Sequence, residues 1–302
     1  MGDIFGPKTI PAQYHEKFIQ YAKQMSNGEL EIQYFPGSQL GTAETQVQNV
    51  AQGIQDLFMS PPEFLHPYSN ALRIDERPFV FDNREQYERW LFSEDFKKIG
   101  EEVAQKANQR FILSETPWRQ GPTKVWISTK PIYSLADAKG TIMRLWATEG
   151  IHKFYRGIGF STVTIPFGEV YSGFQKGICH VTEVPFDLLE GMGFIEVAKF
   201  VIWSEVYWQV ITPTVNLKKW DALSPALKKA FLDAYAKTGK EYNEAVIKEV
   251  EPSKQRLLKK DASIIYINRD PWIKKVRTEV IPALEKEGFL PEGTLKSIEK
   301  FK

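Results

Sequence analysis

The chain has 302 residues, with 39 lysines and arginines against 38 aspartates and glutamates, which gives a formal net charge of +1. Proteins that bind nucleic acid usually carry a strongly basic surface, so this balance argues against nucleic acid as the main partner. The single cysteine, Cys179, excludes an intrachain disulfide and a cysteine-based metal site, and the length predicts one large or two medium domains.

The first 120 residues alternate segments typical of helices with segments typical of strands. Helices are predicted over 14–25 and 42–50, each followed by glycine within a few residues. Strands are predicted over 29–35, where apolar residues alternate with polar ones, and over 56–59. Alternation of this kind predicts an α/β fold with mixed, mostly parallel sheets flanked by helices.

The same alternation resumes in the middle of the chain. Strands are predicted over 111–113, 125–128 and 141–146, and a short helix over 166–177. The middle of the chain therefore predicts a second α/β unit.

A long helical stretch follows from Ser224, a capping residue placed before a proline, to about Lys260. Pro252 lies inside this stretch and predicts either a kink or a restart of the helix. A helix of this length would run between two lobes.

The composition does not decide whether the protein is cytosolic or exported. No apolar stretch approaches the roughly 18 residues that a membrane-spanning helix needs. The first residues lack the positive-then-apolar pattern of a signal peptide. A cytosolic protein and an exported protein without its leader both remain open at this point.

The sequence contains no recognised catalytic constellation. The four histidines His15, His66, His152 and His180 have no metal-motif spacing, and the motifs GxSxG, GxGxxG and GxxxxGK[ST] are absent. Cys179 and His180 are adjacent, so on a strand they point to opposite faces and cannot form a thiolate pair. A structural role is favoured for both.

Arg144 is the residue that calls for an explanation, because it lies inside the apolar run 141–146. On a strand it shares a face with Ile142 and Trp146. A buried guanidinium needs an anion, and a neighbouring indole can cover the apolar part of a carboxylate ligand. The residues alone leave two alternatives equally open: a ligand carboxylate, or an internal salt bridge to Glu149 or Glu183.

Four segments together resemble the solute-binding subunits of TRAP transporters, of the DctP type. They cover nearly the whole chain in order, and they are NGELEIQYFPGSQLGTAETQVQNVAQGIQDLFM, RIDERPFVFDNREQYERW, SLADAKGTIMRLW and IPFGEVYSGFQKGICHVTEVP. The resemblance implies a two-lobe periplasmic-binding-protein fold with a long helix spanning both lobes. It also implies lobes formed by 1–121 plus 210–249 and by 122–209 plus 250–302, with the ligand cleft between them.

The resemblance assigns roles to particular residues. It implies that Arg144 pairs with the carboxylate of the ligand, that Phe167 lines the cleft, and that Lys124 adds a second cationic contact. Trp146 and Trp203 are candidate wall residues. Glu183 is a candidate for binding a hydroxyl, an amine or a cation that bridges to a 2-oxo acid; no other cofactor or metal is expected.

Two departures from the family pattern lead to a hypothesis about the ligand. Val184 replaces a common asparagine ligand, and Pro61 stands near a position that is often acidic. The chain also offers five tryptophans as wall residues, namely Trp118, Trp126, Trp146, Trp203 and Trp208. Together these changes favour a less hydroxylated, more apolar acid.

The function that the resemblance implies is capture of an organic acid anion in the periplasm and its delivery to the membrane permease, with no catalysis. The protein is expected to be a monomer, with its leader removed, and to close by hinge bending near Gly121 and Val210. Two alternatives remain: a sensory module that signals through a receptor, and an enzyme on the same scaffold that would use Glu183 or His180.

Overall fold

The computed structural model describes residues 1–69, 71–72 and 77–302. Residues 73–76, which open the second of the four family-like segments, lie outside the described residues. The α-helices are α1 Ile10–Met25, α2 Ala43–Gln52, α3 Arg84–Leu91, α4 Glu94–Ala107, α5 Glu149–Ile158, α6 Val170–Gln175, α7 Leu217–Ala222, α8 Pro225–Lys259, α9 Asp270–Lys275, α10 Ile281–Lys286 and α11 Thr294–Glu299. The strands are β1 Leu57–Ser60, β2 Gln109–Phe111, β3 Trp118–Arg119, β4 Lys124–Ser128, β5 Ile142–Leu145, β6 Ser161–Thr164, β7 Val181–Pro185, β8 Phe200–Trp203, β9 Val210–Asn216 and β10 Ser263–Tyr266.

The strands form two sheets, and helices flank both. The first sheet has the order β1-β9-β2, with β3 also paired to β9, and the second has the order β10-β8-β4-β7-β5-β6. The α/β fold and the mixed sheets are as predicted. The expected predominance of parallel pairing is wrong: every strand pair of the first sheet is antiparallel, and in the second sheet β4 runs antiparallel to both of its neighbours.

The two sheets belong to two lobes that are joined in three places. Residues 120–123 lead from β3 in the first sheet to β4 in the second, and residues 204–209 lead from β8 back to β9. The third connection is α8, which packs against α1 and β3 on one side and against β10 on the other. The predicted long helix across both lobes is confirmed, whereas the residue boundaries of the lobes stay a prediction.

One local prediction needs correction, and one of the two alternatives for Pro252 is excluded. The segment 29–35 is extended but forms no strand ladder, because its pairing is confined to Met1 and Gly2: Phe35 N donates to Met1 O at 3.0 Å, and Gly2 bridges to Phe35. Pro252 does not restart the helix, since α8 continues through it from Pro225 to Lys259. Within the described residues, no helix has the length and apolar character needed to span a membrane.

Asp187 lies where the connection 120–123 meets α8. It accepts a hydrogen bond from the Tyr242 hydroxyl at 3.1 Å, and a Cβ atom added at Gly121 would stand 2.7 Å from its Oδ1. That Oδ1 is buried and has no hydrogen-bond partner among the described residues. Burial therefore raises the pKa of the Asp187 carboxyl from 3.8 to about 7.

We expect Asp187 to make the stability of the protein depend on pH. Between about pH 4 and pH 7 the carboxyl is ionised in the unfolded chain but keeps its proton in the folded one, so the folded state binds more protons and its stability falls as pH rises through this window. The Asp187→Asn variant, which is neutral at every pH, should lose this dependence. Thermal unfolding at pH 5 and pH 8 should show a melting-temperature difference that is several degrees smaller in Asp187→Asn than in the wild type; equal differences would contradict the assignment.

Candidate binding site

Three ionisable side chains converge at one end of the strands β4, β7 and β5 in the second sheet. Strands β5 and β7 run parallel, and β4 runs antiparallel to β7, so the carboxyl ends of β5 and β7 meet the amino end of β4. Arg144 lies in β5, Glu183 in β7, and Lys124 opens β4. The predicted strand around Arg144 is confirmed, and ligands commonly bind beyond strand ends of this kind.

These side chains face a cavity of about 310 Å³. Its lining comes from two stretches of the chain, 4–64 and 120–209. The apolar and aromatic lining residues are Ile4, Phe5, Ala43, Pro61, Phe64, Trp146, Ala147, Ile165, Pro166, Phe167, Pro185 and Leu188. The polar and charged ones include Ser38, Thr42, Glu44, Glu63, Gln120, Lys124, Arg144, Thr164, Glu169, Glu183 and Gln209.

Arg144 is only 2% exposed, and within the described part of the chain its guanidinium donates one hydrogen bond. Its Nε donates to Ile165 O at 2.6 Å, and its Cζ lies 5.6 Å from the ring centre of Phe167. Burial lowers the pKa of the guanidinium to about 10, so it remains charged at neutral pH. Within the described residues it makes no ion pair with a carboxylate.

The two carboxylates proposed as internal partners of Arg144 have other partners. Glu149 lies 3.8 Å from the ammonium of Lys153. Glu183 accepts hydrogen bonds from the hydroxyls of Tyr155 and Tyr207. The internal salt bridge is therefore absent, although Glu183 is close enough to oppose the fall in the pKa of Arg144.

Lys124 is the second cation of the cavity. Its Nζ lies 3.4 Å from the Tyr207 hydroxyl and 5.8 Å from the ring centre of Trp146. Burial lowers the pKa of its ammonium, while the carboxylates of Glu183 and Glu63 act in the opposite direction. Burial also raises the pKa of Glu183, against the influence of Lys124. The cavity thus brings together charged groups that are costly to bury singly.

The structure places five of the six predicted site residues on this cavity, namely Lys124, Arg144, Trp146, Phe167 and Glu183. Trp203 does not line it. It lies at the end of β8, which is separated from β5 by β4 and β7, and its indole packs on Phe186 and Tyr266. The prediction for Trp203 is wrong because the strand order, which the sequence does not reveal, places it away from Arg144.

Most of the proposed aromatic wall is also misplaced. Trp118 donates its N–H to Tyr235 O at 2.8 Å in the core beside α8, and Trp126 packs against Trp272 within the second lobe. Trp208 lies under the guanidinium of Arg269. Of the five tryptophans only Trp146 lines the cavity, so the wall is formed by it together with Phe5, Phe64 and Phe167.

Glu63, Gln120 and Gln209 are among the eight polar residues of the cavity that were not predicted; the others are Ser38, Thr42, Glu44, Thr164 and Glu169. Glu63 follows the pair Pro61-Pro62, so an acidic side chain lines the cavity two residues after Pro61. The glutamines lie in the two loops that connect the sheets. No local pattern marks them, because a single polar residue in a loop is ordinarily solvated.

The surroundings of Cys179 and His180 favour a structural role for both residues. Cys179 is fully buried, and burial raises the pKa of its thiol to about 11, so the thiol stays protonated. The Nδ1 of His180 accepts a hydrogen bond from Ile142 N at 3.1 Å. Neither side chain reaches the cavity.

Residues 1–287 match the model of a protein family, which is described as "Bacterial extracellular solute-binding protein, family 7". The chain belongs to this family. The resemblance to DctP-type TRAP solute-binding proteins is therefore confirmed, and family 7 consists of solute-binding proteins rather than enzymes.

Several known proteins resemble the chain along most of its length. The 2,3-diketo-L-gulonate-binding periplasmic protein of Escherichia coli is 25% identical over 224 residues, 74% of this chain and 67% of the relative. A TRAP periplasmic solute-binding protein of Desulfovibrio salexigens with bound orotic acid has a TM-score of 0.87 at 23% identity, over 99% of this chain and 96% of that one. Another from Chromohalobacter salexigens with bound D-glucuronate has a TM-score of 0.88 at 18% identity, over 100% and 99% of the two chains. These two structures establish that the fold is shared.

The surroundings of Glu183 in the cavity do not support the bridging cation that was considered there. Both Glu183 oxygens accept tyrosine hydroxyls, and the neighbouring charges include Lys124 and Arg144. Among the described residues, no group of three or more histidines, cysteines, aspartates or glutamates is arranged to hold a metal ion.

Proposed function

We propose that this protein captures an organic acid anion and that Arg144 binds its carboxylate. The observation that carries the proposal is a buried, charged guanidinium that faces a cavity and makes no ion pair within the described part of the chain. An uncompensated buried charge is strongly unfavourable, so an anion in the cavity would relieve it.

The geometry of an arginine suits this role. Nε is already held by Ile165 O, which fixes the plane of the guanidinium and leaves the two Nη groups for the ligand. A carboxylate can accept two parallel hydrogen bonds from such a fork. The ring of Phe167 supports the guanidinium, and Lys124 contributes a second positive charge.

The remaining steps of the proposal concern transport. The cavity would be the cleft between the lobes 1–121 plus 210–249 and 122–209 plus 250–302, and it would open by bending near Gly121 and Val210. Lining from both 4–64 and 120–209 supports this. In the periplasm the closed protein, as a monomer, would deliver the anion unchanged to a TRAP membrane permease; membership of a solute-binding family supports delivery over catalysis.

The proposal is tested from the ligand side with pairs of compounds that differ only at the acid group. Titration calorimetry would compare C4 dicarboxylates, 2-oxo acids, aromatic acids and sugar acids with their neutral amides. We expect at least one acid to bind, and its amide to bind about 100-fold more weakly or not at all, because the amide lacks the charge that the guanidinium requires.

Two results would overturn the proposal. One is equal binding of an acid and its amide. The other is release of an altered compound during incubation, followed by NMR, which would indicate an enzyme. For any acid that binds, thermal unfolding offers a check, since a ligand at 100 times its dissociation constant stabilises the fold by about 2.7 kcal/mol.

A further inference from the structure

Two glutamines on the cavity have side-chain amides without partners among the residues that the structure describes. Gln120 is 5% exposed and Gln209 is 2% exposed, and both line the cavity with Arg144. Their Oε1 atoms are buried and accept no hydrogen bond from the described residues. Neither Nε2 donates to a described residue.

Other buried glutamines of the chain differ from this pair. Gln55 and Gln109 also have a buried Oε1 without a partner, but each donates through Nε2 to a backbone carbonyl, of Leu57 at 2.9 Å and of Val47 at 3.1 Å. Neither of these two lines the cavity. Gln120 and Gln209 differ from Gln55 and Gln109 in two ways: their side-chain amides form no hydrogen bond with the described residues, and they line the cavity.

The two glutamines lie opposite each other, because they continue the antiparallel register of β3 and β9, and opposite residues place their side chains on the same face. Gln120 lies in the connection from β3 to β4 and Gln209 in the connection from β8 to β9, and Gln120 N donates to Gln209 O at 2.9 Å. This backbone hydrogen bond ties the two connections together. A ligand group that bound both amides would therefore contact both of these connections between the lobes.

We infer that Gln120 and Gln209 recognise a hydroxyl group of the bound acid, so that the ligand is a hydroxylated carboxylic acid. A hydroxyl can donate to an amide oxygen and at the same time accept from an amide N–H, which fits two adjacent amides whichever way each is turned. The inference rests on the proposed function, because it takes the carboxylate at Arg144 as the other anchor.

This inference replaces the expectation of a less hydroxylated acid. That expectation depended on tryptophans that the structure places elsewhere and on a loss of polar partners that Glu63, Gln120 and Gln209 make good. A ligand without a hydroxyl would leave two buried amides unpaired, and sites built to bind a hydroxyl discriminate strongly against analogues that lack it.

The test measures the preference for hydroxylated acids in the wild type and in Gln120→Leu and Gln209→Leu. The probes are matched pairs: malate and succinate, mandelate and phenylacetate, 3-hydroxybutyrate and butyrate, gluconate and 2-deoxygluconate. In the pair that binds best, the hydroxylated acid should bind the wild type about 10- to 100-fold more tightly than its partner. Each leucine variant should weaken binding of the hydroxylated acid by about 10-fold and leave the partner unchanged or tighter.

Gln109→Leu serves as the matched control, since it removes a buried amide away from the cavity and should leave the ratio of the two affinities unchanged. Gln209→Met provides a second variant if a leucine variant fails to fold. The inference is overturned if the wild type binds the two acids of a pair with equal affinity, or if the cavity variants leave the ratio of the two affinities unchanged. Binding of both acids would in that case still uphold the carboxylate anchor. Binding of no acid of any pair, or of the corresponding amides equally well, overturns the proposed function itself.

Discussion

Replacing Arg144 by lysine should weaken binding of the acid by about 30- to 100-fold while leaving the protein folded. Lysine keeps the positive charge but loses the planar fork, so one point contact replaces two parallel hydrogen bonds. It also loses the Nε hydrogen bond to Ile165 O that orients the group. Titration calorimetry with an acid that binds the wild type measures the change directly.

Arg156→Lys is the matched control for this variant. Arg156 lies on α5, donates through Nε to Thr162 Oγ1 at 2.9 Å and does not line the cavity, so its replacement should leave affinity unchanged. Wild-type affinity in Arg144→Lys would show that the carboxylate is bound elsewhere. A melting temperature lowered by many degrees without ligand would show instead that Arg144 has a structural partner.

Replacing Gly239 by alanine should destabilise the fold by roughly 2 kcal/mol or more, although alanine is the better helix former by about 1 kcal/mol. Gly239 lies in α8 against the indole of Trp118. An added Cβ would stand 2.5 Å from Trp118 Cδ1 and 2.8 Å from Thr116 O. The indole has little freedom to move, because its N–H donates to Tyr235 O and its ring stacks on that of Tyr235 at 5.5 Å.

The free energy of unfolding in urea measures this effect. Gly168→Ala is the control, because a Cβ atom there meets nothing within 4 Å, and its effect should stay within about 0.5 kcal/mol. Stabilisation in Gly239→Ala would mean that helix propensity outweighs packing at this position. Because α8 joins the two lobes, the variant would also report how tightly α8 is packed against β3.

The sequence by itself determined the local elements and singled out Arg144 as the proposed anchor. Thr42 and Ser224 cap α2 and α8 by accepting hydrogen bonds from Thr45 N and Leu227 N, as their residue types predict. Gly53 ends α2 in the left-handed conformation. Arg144 stood out because a charged residue in a buried strand is costly, and the family-like segments around it were confirmed by the match over 1–287.

Only the tertiary structure decided what surrounds that anchor. Strand order places Trp203 on β8, which β4 and β7 separate from the β5 strand of Arg144. Antiparallel pairing of β4 with β7 brings Lys124 to the carboxyl ends of β5 and β7. The loops that carry Gln120 and Gln209 meet through one backbone hydrogen bond between residues far apart in the chain. Local sequence governs which residues are buried and which face they share, because those properties depend on neighbours along the chain. Which buried residues meet depends on long-range pairing, and so the remaining lining of the cavity, including Glu63, Gln120 and Gln209, could not be predicted.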